Sequence, residues 1–386
     1  MPRYMILIML TIAGGWGIPA HGGSAPQPQI RVALVHNATG ITLKAAPFFC
    51  SPPPLSTVDQ PDDPRLIQQA HVTPTPAGFL VNDNFFTGTH LLCAATTGTL
   101  FLNNLPITTM VLVVRSGETP ANARLTAIEE IPIERYLLGV IAGEMQAGWP
   151  AATLQAQAIA ARSYVMARLE EQTDARAPYD VLATVEDQVY RPDFTPPAAI
   201  AAAVHATHGT VLMHQHHIVK SYFHSCCGGT TVSPTTIWGT SAAHELRTVR
   251  DPYCRRSPHY EWSLQLTEED LESRLDAAGY IVSRIHGVTA MPVPYGGRVT
   301  DVRLQTEGEP FSINSNTFRK IVGYDQLKST WFTVRHTRHG WLFRGRGFGH
   351  GAGLCQWGAK TMGDRGRSAE QILSFYYPGT TIEKHY

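Results

Sequence analysis

The sequence has no excess of charge of either sign: 31 lysines and arginines balance 31 aspartates and glutamates, and only 16 % of residues are charged. Broad electrostatic capture of nucleic acid needs concentrated basic charge, so the balance argues against that class without excluding a local patch. Apolar runs of membrane-spanning length are also lacking. The one long run, Tyr4 to Ala13, follows a single cation at Arg3 and is broken by Gly14, Gly15 and Pro19. It is too short for a stable anchor and has the plan of an export signal, with a small-residue cleavage site near Ala20-His21-Gly22. No cysteine adjoins that site, which argues against a lipoprotein anchor. The expectation is a signal peptide over 1–22 and a soluble mature protein that is exported to the periplasm or cell envelope, or secreted. Neither an internal repeat nor a low-complexity tail is found. Cysteine is sparse, with six in 386 residues. An even set in an exported chain fits disulfide use, and Cys50 with Cys93 is the natural candidate pair.

Proline and glycine, by contrast, are plentiful (27 and 33), which implies many turns. Length allows two domains, or one large domain with a smaller partner. Residues 23–29 read as a Pro/Gly/Ser linker. From Ile30 to about Ile128, short β-branched runs such as Met110-Val111-Leu112-Val113-Val114 alternate with turn clusters, so 23–127 is expected to be a β-rich region. Helical spacing begins after Pro132, with Ile133, Leu137, Val140, Ile141 and Glu144 on one face, and Gly148 ends it. A second helix is expected from Ala151 to Leu169, with Leu154, Ala158, Ala161, Val165 and Leu169 buried. A short helix is expected from Ala198 to His205, then strands at Val211–Met213 and Ile218–Phe223 around a turn at His214–His217. The whole reads as α+β: the β-rich region, then a mixed catalytic domain over 128–386 carrying a mostly β insertion at 264–340 with one helix, Glu268–Ala278.

Glu144 is the leading candidate for chemistry. It shares the apolar face of its helix and lies in the last turn, where the helix dipole disfavours negative charge. Burial and dipole both push its pKa up, which suits a general acid near neutral pH. The structural alternative is a buried carboxylate held by Arg135, Arg162 or a backbone amide. The second candidate is His224-Ser225-Cys226-Cys227-Gly228-Gly229 with Cys254. Zinc held by His224, Cys227 and Cys254 fits this spacing, and so does a disulfide from Cys226 or Cys227 to Cys254. A Cys227 nucleophile beside His224 or His350 is a third reading. The run from Gly345 to Gly353 is no dinucleotide or phosphate loop: too little chain follows for a βαβ unit, and no Gly-Lys-Ser/Thr is present. Alternating glycines let a backbone pass close to a ligand or another strand, presenting His350 at a tight turn.

Several segments together resemble one family. They are Glu134 to Met145, Leu154 to Tyr164, Asp187-Gln188-Val189-Tyr190, Phe223 to Gly229, Asp251-Pro252-Tyr253-Cys254, Gly345 to Ala359 and Tyr376 to Thr380. In that order they are similar to the sporulation stage II protein D / amidase enhancer family, whose members act on peptidoglycan. The resemblance implies a lytic transglycosylase with Glu144 as catalytic acid, cutting the bond between N-acetylmuramic acid and N-acetylglucosamine. It implies substrate contacts at Arg162, Tyr164, Gln188 and His350, and supports a structural zinc site. It implies peptidoglycan glycan strands as partner. The alternative is a non-catalytic module that binds glycan and stimulates a cell-wall amidase. The chain departs from the family pattern at Gln146, where proline is usual, at Ser163, where threonine is common, and at Cys226, which replaces a small polar residue.

Overall fold

The computed structural model describes residues 27–53, 66–107, 110–172, 177–192, 195–239, 246–292 and 297–386. The expected signal peptide over 1–22 lies outside the described residues. No helix among them is long and apolar enough to cross a membrane.

The architecture is α+β, as the alternation of patterns predicted. The β-rich first part forms most of an eleven-stranded sheet from Gln29–Ala38 through Arg124–Pro132. Its inner residues, among them Leu43, Phe48, Phe79, Leu100 and Val113, make one core. A disulfide joins Cys50 to Cys93, which sit directly opposite in the register of Ile41–Ser51 with His90–Ala95. The sheet does not end at the expected boundary. Arg124–Pro132 pairs antiparallel with Gln29–Ala38, whose other edge takes Val181–Leu182 in parallel.

The strand Arg124–Pro132 feeds directly into helix α1 (Ile133–Glu144), and α2 (Ala151–Glu171) follows. Pro132 and Pro150 stand just before the first helical residue, one position earlier than the N1 site that proline usually takes; their fixed φ still suits the entry. Five of the seven alanines of α2 are buried, because small side chains let α2 pack on several neighbours at once. Those neighbours include α3 (Ala198–Ala206) and the strand Thr210–His214. Gln215 and His216, both at positive φ, form the hairpin tip after that strand. The expected strand over Ile218–Phe223 is only two short pieces, His217–Ile218 and Phe223–His224, since Phe223–His224 pairs instead with Leu354–Cys355.

After α4 (Pro234–Trp238), a third core forms around α5 (Glu268–Ala277), α6 (Ser315–Val322) and two three-stranded antiparallel sheets. The strand Glu261–Leu266 pairs with Gly340–Arg346, and the latter delivers the glycine-rich segment back to the central core. Then come α7 (Gln356–Asp364) and α8 (Ala369–Tyr376), both packed against α2, and the strand Thr381–Lys384, antiparallel to Thr210–His214.

Candidate functional site

Three stretches distant in sequence meet at the end of α1. Glu144 is half-buried there. Its Oε1 accepts the Val189 backbone N–H at 2.9 Å, and its Oε2 accepts the Gln356 side-chain amide at 3.0 Å. Burial raises its pKa, and these two hydrogen bonds partly oppose the rise. Of the structural alternatives, the backbone amide is realised, while Arg162 is engaged elsewhere.

The segment 188–191 reaches α1 because glycines clear the way. A Cβ on Gly143 would meet the Val189 carbonyl oxygen at 2.5 Å, and one on Gly139 would meet that of Arg191 at 2.3 Å. Gln188 braces the segment from behind: Oε1 accepts from Tyr136 Oη at 2.9 Å and Nε2 donates to the Ala161 carbonyl at 3.2 Å. Both ends of this buried amide are therefore committed inside the protein, where the sequence suggests a substrate contact. Arg162, the second expected contact, is likewise engaged internally. Its fully buried guanidinium bonds both oxygens of Glu134 at 2.7 Å and the Thr210 carbonyl at 3.0 Å, so all three nitrogens have internal partners. Tyr164 is buried too, with Oη donating to Asp187 Oδ1 at 2.8 Å and its ring edge-on to Tyr222 at 5.6 Å. It stands behind Tyr222 rather than in an open groove.

His350 is the expected contact that keeps a partly open face. Its half-buried ring lies 5.2 Å from Trp238, 6.0 Å from Tyr222 and 5.4 Å from His224. Trp238, 39 % exposed, stacks on Tyr222 at 4.7 Å. His350 Nδ1 accepts the Ala352 N–H at 3.0 Å, which leaves the ring proton on Nε2. Burial and the neighbouring His224 hold its pKa well below the usual imidazole value. The glycine-rich segment explains how His350 arrives there. Gly347, Gly349, Gly351 and Gly353 all have positive φ, and a Cβ on Gly353 would meet the Tyr222 carbonyl oxygen at 1.9 Å. Only glycine lets this backbone lie so close to residues 222–228.

The cysteines gather in the same core, but not with the expected histidine. Sγ of Cys227, Cys254 and Cys355 and a carboxylate oxygen of Asp251 lie within 4.8 Å of one another, all buried. His224 is not in this group. Its Nδ1 faces the Ala352 carbonyl at 3.0 Å, and burial and the Arg298 charge push its pKa down to about 3. The structure does not bring His224 into the group of Cys227 and Cys254: its backbone is tied to the Leu354–Cys355 strand, and the ring faces the glycine-rich segment. Cys227 and Cys254 are free thiols 3.4 Å apart, with no disulfide between them. Spacing alone did not yield Gln356, Asp251 or Cys355 as site residues. Each stood inside a quoted motif, and the motif was the only signal.

With this geometry in view, sequence comparison decides the family. A stage II sporulation protein (SpoIID) model matches residues 101–214, and a domain of unknown function (DUF8618) matches residues 243–353. An uncharacterized protein of Brachyspira hyodysenteriae is 31 % identical over 68 % of this chain and 70 % of its own length. This chain belongs to the stage II sporulation protein D family. The Stage II sporulation protein D of Bacillus subtilis is 29 % identical over 67 % of this chain and 76 % of its own length. The Amidase enhancer of Bacillus subtilis is 27 % identical over 64 % of this chain and 40 % of its own length. The family is linked to peptidoglycan processing.

Proposed function

We propose that this family member is an exported lytic transglycosylase. It cleaves the bond between N-acetylmuramic acid and N-acetylglucosamine in peptidoglycan, with Glu144 as the acid. The observation that supports the reading is the placement of Glu144, where the Val189 N–H and the Gln356 amide meet its carboxyl and burial raises its pKa, while Asp180, Glu186 and Asp187 are engaged by other partners. Asp180 pairs with Arg31 at 2.6 Å, Glu186 pairs with Lys320, and Asp187 accepts from Tyr164 Oη and the Leu182 N–H, both at 2.8 Å. A hydrolytic glycosidase needs a second free carboxylate as base or nucleophile. One acid suffices when the substrate supplies its own nucleophile.

Protonated Glu144 gives its proton to the glycosidic oxygen, and the C1–O bond of the muramic sugar breaks. The resulting carboxylate then takes the proton of the C6 hydroxyl as that oxygen bonds C1. The product is a 1,6-anhydro end, no water is consumed, and Glu144 is protonated again. The exposed Trp238 with Tyr222 and His350 offers a face on which a sugar ring can stack.

A second reading has support in the relative named Amidase enhancer. Here the same surface binds glycan without cutting and stimulates a cell-wall amidase. Glu144→Gln separates the two. The substitution keeps size, and the Gln356 amide can flip to accept from the new one. As an enzyme, the protein loses roughly a hundred- to ten-thousandfold in rate, the usual contribution of a general acid. As a binding module it keeps its effect on wall material. Digestion of purified glycan strands, read by mass analysis, decides; undiminished cleavage by the variant would sink the enzyme reading.

A further inference from the structure

We propose that Sγ of Cys227, Cys254 and Cys355 and Oδ2 of Asp251 hold one zinc ion, a closed structural site that anchors the start of α7. Four donors is the complement of a structural zinc, which needs no open position, and thiolates with a carboxylate are within its usual ligand types. The spacing fits. Cys227 Sγ is 3.4 Å from Cys254 Sγ and 3.2 Å from Asp251 Oδ2, and all four donors lie within 4.8 Å. Zinc–sulfur bonds of about 2.3 Å at tetrahedral angles place sulfurs about 3.8 Å apart, so a small expansion admits the ion.

The surroundings match such an ion in three ways. Backbone N–H groups already point at sulfur: Gly229 to Cys227 Sγ at 3.4 Å, and Cys227 to Cys355 Sγ at 3.3 Å. The carboxylate is oriented from outside by Tyr376 Oη on Oδ2 at 3.1 Å and by the Tyr253 N–H on Oδ1 at 2.7 Å. Charge also balances. Three thiolates and a carboxylate leave a zinc site anionic, and the fully buried Arg298 donates to the Cys227 carbonyl at 3.0 Å while its Nε and Nη1 have no hydrogen-bond partner. A buried guanidinium without an ion pair is costly, and a metal–thiolate group beside it supplies the opposite charge.

The site joins three pieces of chain: the segment at Cys227 that follows the strand Phe223–His224, the turn 251–254, and Cys355. The residue after Cys355 is Gln356, whose amide bonds Glu144. Zinc would thus fix the position of that donor. Only this last link rests on the function proposed above, and metal content is read without any activity, so either can fail alone.

The test is elemental analysis and native mass spectrometry of the purified full chain, with X-ray absorption of the zinc-loaded protein. One zinc per chain with three sulfur neighbours, one oxygen and no imidazole is expected. His224→Ala and Cys226→Ser keep the zinc, whereas Asp251→Ala and Cys355→Ser lose it. The absorption spectrum is taken on the unaltered chain, so a variant that fails to fold does not leave the question open. Four sulfur neighbours, an imidazole signature, or a metal-free chain whose mass shows a Cys227–Cys254 disulfide each overturns the proposal.

Discussion

At the scale of single residues, the site is a contest over one carboxyl. Burial favours the protonated form of Glu144, and the donors Val189 N–H and Gln356 Nε2 favour the charged form. The folded pKa ends above its ordinary value. Glu144 therefore contributes stability that is present below the unfolded pKa and is lost as pH rises through the folded one. Activity that needs the acid form should fall over the same upper range. Removing a donor to the charged form must move that fall further up. Gln356→Ala is accordingly expected to shift the alkaline limb of the kcat/KM profile to higher pH. Below the limb, kcat should drop roughly fivefold, the worth of one net hydrogen bond of about 1 kcal/mol. A pH–rate series on soluble glycan strands checks this. An unmoved limb would show that Gln356 does not act through Glu144.

At the scale of elements, what the sequence disclosed and what it hid divide along contact distance. Period and punctuation carry local information, so α1, α2, α3 and α5 fall where spacing and proline predicted, within a few residues at their ends. The placement of Glu144 on the apolar face followed from the same period. Pairings across long separations leave no such trace. Gln356 bonds Glu144 across 212 residues, and Glu134 takes Arg162 away from any groove through an ion pair that no pattern announces. The glycines of α1 belong to this second kind. In the sequence they interrupt a helix; in the structure they let segment 188–191 lie against it. Gly143→Ala is expected to push against the Val189 carbonyl and to cost about 1–3 kcal/mol, the range for overpacking. It should also lower activity, because the same residue supplies the N–H to Glu144. Gly148→Ala, where nothing lies within 4 Å, is the control and should stay within about 0.5 kcal/mol. Thermal or urea unfolding of both variants reads the difference, and equal losses would remove the close-approach argument.

At the scale of the whole molecule, three cores are tied together by returning chain. The third core, around α5 and α6, sends its strand Gly340–Arg346 back to the centre, where Phe348 bridges Cys226 and Ala352 bridges Val232. That return sets His350 beside Trp238 and Gln356 on Glu144 in one stroke. Glu144 has a raised pKa, and Asp180, Glu186 and Asp187 serve ion pairs or hydrogen bonds elsewhere. The proposed mechanism sets the expected outcome of the reaction. In the proposed mechanism Asp180, Glu186 and Asp187 do not activate water, and C1 of the muramic sugar is closed by its own C6 oxygen. Cleavage in water labelled with oxygen-18 should give muramic ends lighter than hydrolytic ends by one water and free of label. Mass spectrometry of the released fragments reads both at once. Reducing ends that carry solvent oxygen would mean hydrolysis, and Asp187 would then have to leave Tyr164 and Leu182 to serve as the missing base.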